Sequence, residues 1–105
     1  GSVLMDIQAI KIDSKDTVAT CMQEAHPGAR VSLLLPYQER LLCVSTVPAW
    51  HKIALVDIKA GDAIYKYGEC IGTATEPIGK GGWVSHRNLV GGDRKYDDEL
   101  WQEAL

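Results

Sequence analysis

A chain of 105 residues with a formal net charge of −3, 46% hydrophobic and 24% charged residues, has the size of one domain with one core, too small to enclose a deep active site unaided. Its composition is that of a globular protein, neither disordered nor fibrous. Eleven Lys and Arg against fourteen Asp and Glu, with no basic block, leave no footprint for nucleic acid, and no apolar run approaches the roughly 20 residues that span a bilayer.

Residues 1–5 read as a tag remnant, Gly1-Ser2, and a lead into the domain, which is placed at residues 6–91. Ile7 to Ile12 and Thr17 to Met22 form an expected first hairpin across Asp13-Ser14-Lys15-Asp16. Val18, Cys21, Met22 and Ala25 also fit a helix face, but the β-branched start and Pro27-Gly28 favour a strand. Pro27-Gly28 turns the chain into a strand over Arg30 to Leu35, Pro36 to Glu39 turns it again, and Leu41 to Val47 returns to a boundary at Pro48. Next come two strands joined by a turn: Lys52 to Ile58, then Ala63 to Lys66 across Lys59-Ala60-Gly61-Asp62. Tyr67-Gly68-Glu69 bends the chain into Cys70 to Ala74, and Gly79 to Gly82 is expected as a hairpin turn before Trp83 to His86. Short strands between Gly-containing turns predict a compact, mainly β domain. Residues 92–105 differ, because Tyr96, Leu100, Trp101, Ala104 and Leu105 share one side of a predicted amphipathic C-terminal helix. Such a helix must dock on its own domain or on a partner to be stable. No internal repeat is evident.

Cys21, Cys43 and Cys70 are odd in number and scattered, which predicts buried reduced thiols in a cytoplasmic protein, not a disulfide framework or a metal knuckle. The N-terminus carries no cleavable signal pattern. Gly79-Lys80-Gly81-Gly82 lacks the spacing and strand-to-helix setting of a phosphate loop, and neither GxSxG nor HExxH occurs. His26 precedes a Pro-Gly turn and reads as a solvated loop residue. His51 stands at the entrance to a strand and His86 at the exit of one, where a sheet presents side chains beyond its core. Lys52, Lys59 and Lys66 are singly most like solvated edge residues; with His51, His86 and Arg87 they could compose a cationic surface for a carboxylate. Asn88 offers an amide hydrogen bond or turn chemistry.

His51-Lys52-Ile53-Ala54-Leu55, Asp57-Ile58, Ala60-Gly61, Ile64, Lys66-Tyr67-Gly68-Glu69 and Ile71-Gly72 together resemble the small SAF-type domain of the altronate/galactarate dehydratase family and of the related sulfolactate sulfo-lyases. Trp83-Val84-Ser85-His86-Arg87-Asn88-Leu89 resembles that family's closing motif, in which histidines alternate before an asparagine. Here one histidine of the fuller motif is replaced at Val84 or Ser85. The resemblance is strong over His51 to Leu89 and weak before Pro48.

It implies a β-clip fold and a role as the small subunit or N-terminal domain of a sugar-acid dehydratase, completing the active site of a large catalytic subunit. His51 and His86 would serve proton transfer or substrate hydrogen bonding, and Lys52, Lys66 and Asn88 would orient the polyhydroxy acid. A divalent metal, iron in altronate-type members, would sit on the large subunit and act as a Lewis acid; this chain shows no ligand set for it. The implied partners are that large subunit and a sugar acid, with no nucleic acid and no membrane. Two other readings stand beside this one: a noncatalytic SAF module that binds carbohydrate or assists assembly, and the small subunit of a sulfo-lyase.

Overall fold

The computed structural model describes residues 6–91 and consists there of short strands with no helix. The expected C-terminal helix and the residues before Asp6 lie outside the described residues. Nine strands follow in chain order: β1 (Ile7–Ile10), β2 (Val18–Cys21), β3 (Arg30–Leu33), β4 (Arg40–Leu42), β5 (Lys52–Ala54), β6 (Ala63–Lys66), β7 (Glu69–Ala74), β8 (Trp83–Val84) and β9 (Leu89–Val90). One sheet has the order β4-β3-β1-β2-β5-β8 and the other β6-β7-β9. The first hairpin forms as expected, with Ala9 opposite Cys21, and β3 joins β1 in parallel.

The pair expected from Lys52 to Lys66 does not form. β5 lies between β2 and β8, while β6 pairs with β7 in the other sheet. Likewise the Gly79 to Gly82 turn joins β7 to β8, which do not pair with each other, so it is a turn and not a hairpin loop. A strand followed by a turn is locally the same signal whichever neighbour the strand finds, and the neighbour is chosen by long-range backbone bonding.

That bonding follows a rule used four times. A small buried residue (Cys21, Cys43, Ala54 or Ala74) is followed four positions later by a buried apolar one (Ala25, Val47, Ile58 or Ile78). Next comes a turn closed by an i to i+3 hydrogen bond: Ala29 N to His26 O, His51 N to Pro48 O, Asp62 N to Lys59 O and Gly82 N to Gly79 O, at 2.9–3.1 Å. The third residue of each turn has positive φ, as a type II turn requires: Gly28 (92°), Trp50 (66°), Gly61 (88°) and Gly81 (88°). The units then clasp in pairs. Ala25 and Val47 exchange both backbone bonds, as do Ile58 and Ile78, and each turn also grips the small residue of its mate: Gly28 N donates to Cys43 O, Trp50 N to Cys21 O, Gly61 N to Ala74 O and Gly81 N to Ala54 O. This internal repeat has only small, apolar and turn positions in common, too little to stand out in the sequence.

The β2–β5 pair is the wall between two cores. Strand alternation sends Ala19, Cys21 and Ile53 into one, with Val31, Leu33, Cys43 and Val47. It sends Val18 and Ala54 into the other, with Ile58, Ile64, Ile71, Ile78, Val84 and Leu89. Asp16 and Thr17 tie the wall to the second sheet. Asp16 accepts the N–H groups of Ile12 and Asp13 on one oxygen and of Gly68 on the other, at 2.7–3.1 Å. Thr17 N donates to Tyr65 O, and Thr17 Oγ1 accepts Tyr65 N. Burial pushes the Asp16 carboxyl upward, but the N–H groups of Gly68, Asp13, Ile12 and Tyr67 more than offset it and hold its pKa below the ordinary value.

Two measurements test this frame. A Cβ on Gly81 would stand 2.0 Å from Leu42 O, whereas one on Gly61 meets nothing within 4 Å. Gly61→Ala therefore costs about 1 kcal/mol, for the left-handed backbone alone, and Gly81→Ala at least about 3 kcal/mol, read from urea midpoints. Asp16→Asn should cost about 1.5–3 kcal/mol at neutral pH. Because the folded pKa is depressed, the carboxylate's contribution is complete above the unfolded value of about 3.9 and disappears as pH falls through the folded value. The gap between wild type and variant should therefore close in acid, and a gap constant from neutral pH to about pH 3 would contradict the assignment.

Candidate functional site

His51 is the last residue of a clip turn and leads directly into β5, so its backbone is fixed at both ends: its N–H donates to Pro48 O and its carbonyl accepts Cys21 N. Alternation along β5 places His51 on the side of Ile53 and sends Lys52 to the side of Ala54. On the His51 side stands Trp83, which pairs with Ile53 across β5 and β8 and packs on the first core. Its indole Nε1–H donates to His51 Nδ1 at 3.3 Å, with the rings edge to face at a 5.6 Å centroid separation.

Trp83 is itself held from both ends of its peptide. Its N–H donates to Ser45 Oγ at 3.0 Å, and its carbonyl accepts Asn88 Nδ2 at 2.9 Å. Asn88 Oδ1 takes Ser85 N at 2.8 Å, and the Asn88 backbone N–H donates to Ser85 O, so Asn88 closes the turn that carries exposed His86 and Arg87. Both oxygen and nitrogen of the Asn88 amide are thus engaged inside the fold. One side chain braces the turn that carries His86 and the strand whose Trp83 meets His51.

Lys52 differs from the expected edge residue. It lies on a central strand opposite Thr20 and Val84 and is only 3% exposed. Thr20 Oγ1 meets the Tyr67 hydroxyl at 3.3 Å, and the Lys66 ammonium lies 4.9 Å from the centre of the Tyr67 ring, a cation–π contact. Tyr67 (φ 57°) and Gly68 (φ 79°) form the tight left-handed turn between β6 and β7, anchored by Asp16 at Gly68 N. Lys52, opposite Thr20, and Lys66, against Tyr67, therefore lie on one side of the wall, and His51 belongs to the other. The single open cationic surface expected from sequence is divided by the sheet.

Lys59 is exposed in a clip turn, and His26 is exposed in another, 3.0 Å from Glu24. All three cysteines are free; Cys21 and Cys43 are buried as expected, but Cys70 is exposed. Burial, with the Cys43 charge adding to it, pushes the Cys21 thiol up to about 12, and burial raises Cys43 as well. Neither supplies a thiolate nucleophile at neutral pH. Among the described residues no three His, Cys, Asp or Glu side chains gather as a metal-binding group, and no helix is long and apolar enough to cross a membrane. The residues that sequence reasoning passed over are Trp83, Ser45, Thr20 and Tyr67. Trp83 and Tyr67 stand inside the quoted motifs, but their partners are up to 47 positions away, beyond any local pattern.

Comparison with known proteins adds an independent line. The family model for the altronate/galactarate dehydratase SAF domain matches residues 7–92, so the match includes the N-terminal half, where the motif resemblance was weak. The chain is 33% identical over 81 residues to galactarate dehydratase (L-threo-forming) of Escherichia coli (strain K12). The aligned region is 77% of this chain and 15% of that enzyme's length.

Asn88→Ala leaves Ser85 N and Trp83 O without their partner and should cost about 1–3 kcal/mol. Hydrogen exchange at the Ser85 amide should quicken more than at Ile64, whose strand lies in the other sheet; equal acceleration at both would show that Asn88 does not brace this turn locally.

Proposed function

Since the chain belongs to the altronate/galactarate dehydratase SAF-domain family, we propose that it serves as the small subunit or N-terminal domain of a sugar-acid dehydratase. The observation that carries this reading is the family match over residues 7–92, which takes in every strand from β1 to β9, joined to 33% identity with a galactarate dehydratase. The chain spans only 15% of that relative, so a large catalytic subunit or domain would complete the site.

The reaction would be elimination of water from an aldonate or aldarate such as altronate or galactarate. A base removes the proton α to the carboxylate, the C–O bond to the β-hydroxyl breaks as that oxygen leaves as water, and the enol tautomerises to a 2-keto-3-deoxy acid. His86, exposed in its turn, would exchange a proton with an incoming substrate. Lys66, whose ammonium lies over the Tyr67 ring, would attract a carboxylate, and buried Lys52, opposite Thr20 in the strand register, would add positive charge from beneath. Asn88 would contribute by holding His86 and Trp83 in position. A divalent metal, expected as iron, would stabilise the developing enolate from the large region; no ligand set for it gathers among the described residues.

A noncatalytic SAF module is the second reading, favoured by one observation: His51 Nδ1 and both polar atoms of the Asn88 amide are already engaged within the fold. The test is reconstitution with the large dehydratase region, with galactarate as substrate and formation of the 2-keto-3-deoxy acid as the readout. For a catalytic role, His86→Ala should lower kcat by about 10²-fold or more, and Lys66→Met should raise KM with a smaller effect on kcat. Unchanged turnover in both His51→Ala and His86→Ala would leave the noncatalytic module as the correct reading.

A further inference from the structure

The geometry points to Trp83 as a positioning residue that fixes His51 as a neutral imidazole carrying its proton on Nε2, so that His51 works as a hydrogen-bond donor and not as a base. An indole N–H can only donate. At 3.3 Å from Nδ1 it needs the lone pair of that nitrogen, and a neutral imidazole with a lone pair on Nδ1 bears its hydrogen on Nε2. A proton added to Nδ1 would set two N–H groups against each other and break the contact.

The backbones that carry the two rings are held from several directions. Trp83 is fixed by Ser45 Oγ at its N–H, by Asn88 Nδ2 at its carbonyl and by β-pairing with Ile53. His51 is fixed by Pro48 O and Cys21 N. The edge-to-face ring packing allows little rotation of the imidazole without loss of the indole bond. Asn88 therefore acts on His51 at one remove, through Trp83, as well as on the turn bearing His86.

The consequence is a division of labour between two histidines that sequence alone treats as equivalent. His51 would act from Nε2 as a donor to an acceptor oxygen, and His86 would be left as the candidate to take up a proton. Identifying that acceptor with a sugar acid rests on the dehydratase reading; the state of the ring does not.

The test uses ring-¹⁵N-labelled full chain at about pH 8, above the ordinary imidazole range. A ¹⁵N–¹⁵N coupling across the hydrogen bond between Trp83 Nε1 and His51 Nδ1, with the imidazole proton on Nε2, is the expected result. A proton found on Nδ1, or no coupling together with an indole N–H exchanging at the free-tryptophan rate, overturns the assignment. Trp83→Phe keeps an aromatic ring on the first core and removes the donor. In that variant the His51 Nδ1 resonance should shift to the position of an unbonded imidazole nitrogen, and an unchanged Nδ1 resonance would show that Trp83 positions nothing. Should Trp83→Phe fail to fold, the wild-type coupling alone decides. A chain that shows the coupling yet supports no galactarate turnover with the large region would sink the functional reading and leave the role of Trp83 intact.

Discussion

The constraint on which everything else depends is the left-handed turn, repeated four times, that brings a backbone amide onto the carbonyl of a small buried residue in a mated unit. Strands of two to six residues form too few ladder bonds to stand alone, and a chain this size has little apolar area in reserve. The clasped turns compensate by satisfying backbone groups that short strands leave unpaired. They also explain the small residues at the grip points, since a larger side chain at Cys21, Cys43, Ala54 or Ala74 would intrude on fully packed cores. At Gly81 the demand is strictest, because the turn lies against the Leu42 carbonyl and accepts Val44 N, which joins one clasped pair to the other.

The same device places the candidate site. Three of the four turns carry glycine at the left-handed position, but the one leading into β5 carries Trp50, 59% exposed at φ 66°. That turn ends on His51, so the backbone that sets the imidazole is fixed by clip geometry before any ligand contact is considered. Trp83 then emerges from the return of the fourth turn and meets it across the sheet. The histidine–indole contact is thus a product of two clip units converging on the central strand.

On the far side of that strand Lys52 is buried, and Lys66 reaches its neighbourhood through Tyr67 and Thr20. The strained Tyr67-Gly68 turn is kept in place by a carboxylate whose charge is stabilised by four backbone N–H groups.

By itself the sequence determined the class of fold, most strand positions, the locations of the turns and the family, because alternation, Gly and Pro placement and the His51 to Leu89 motifs are all local. It also singled out His51, His86, Lys52, Lys66 and Asn88, since those residue types stand beside strand ends. Only the tertiary structure decided which strands are neighbours, that β5 lies between β2 and β8 with Lys52 buried on it, that Asn88 spends its amide within the fold, and that the Trp83 indole meets Nδ1 of His51. The physical reason is separation along the chain. A turn or an alternating strand is encoded within a few residues, whereas Trp83 and His51 are brought together by pairing across 32 positions, and that pairing is set by which backbone amides find partners.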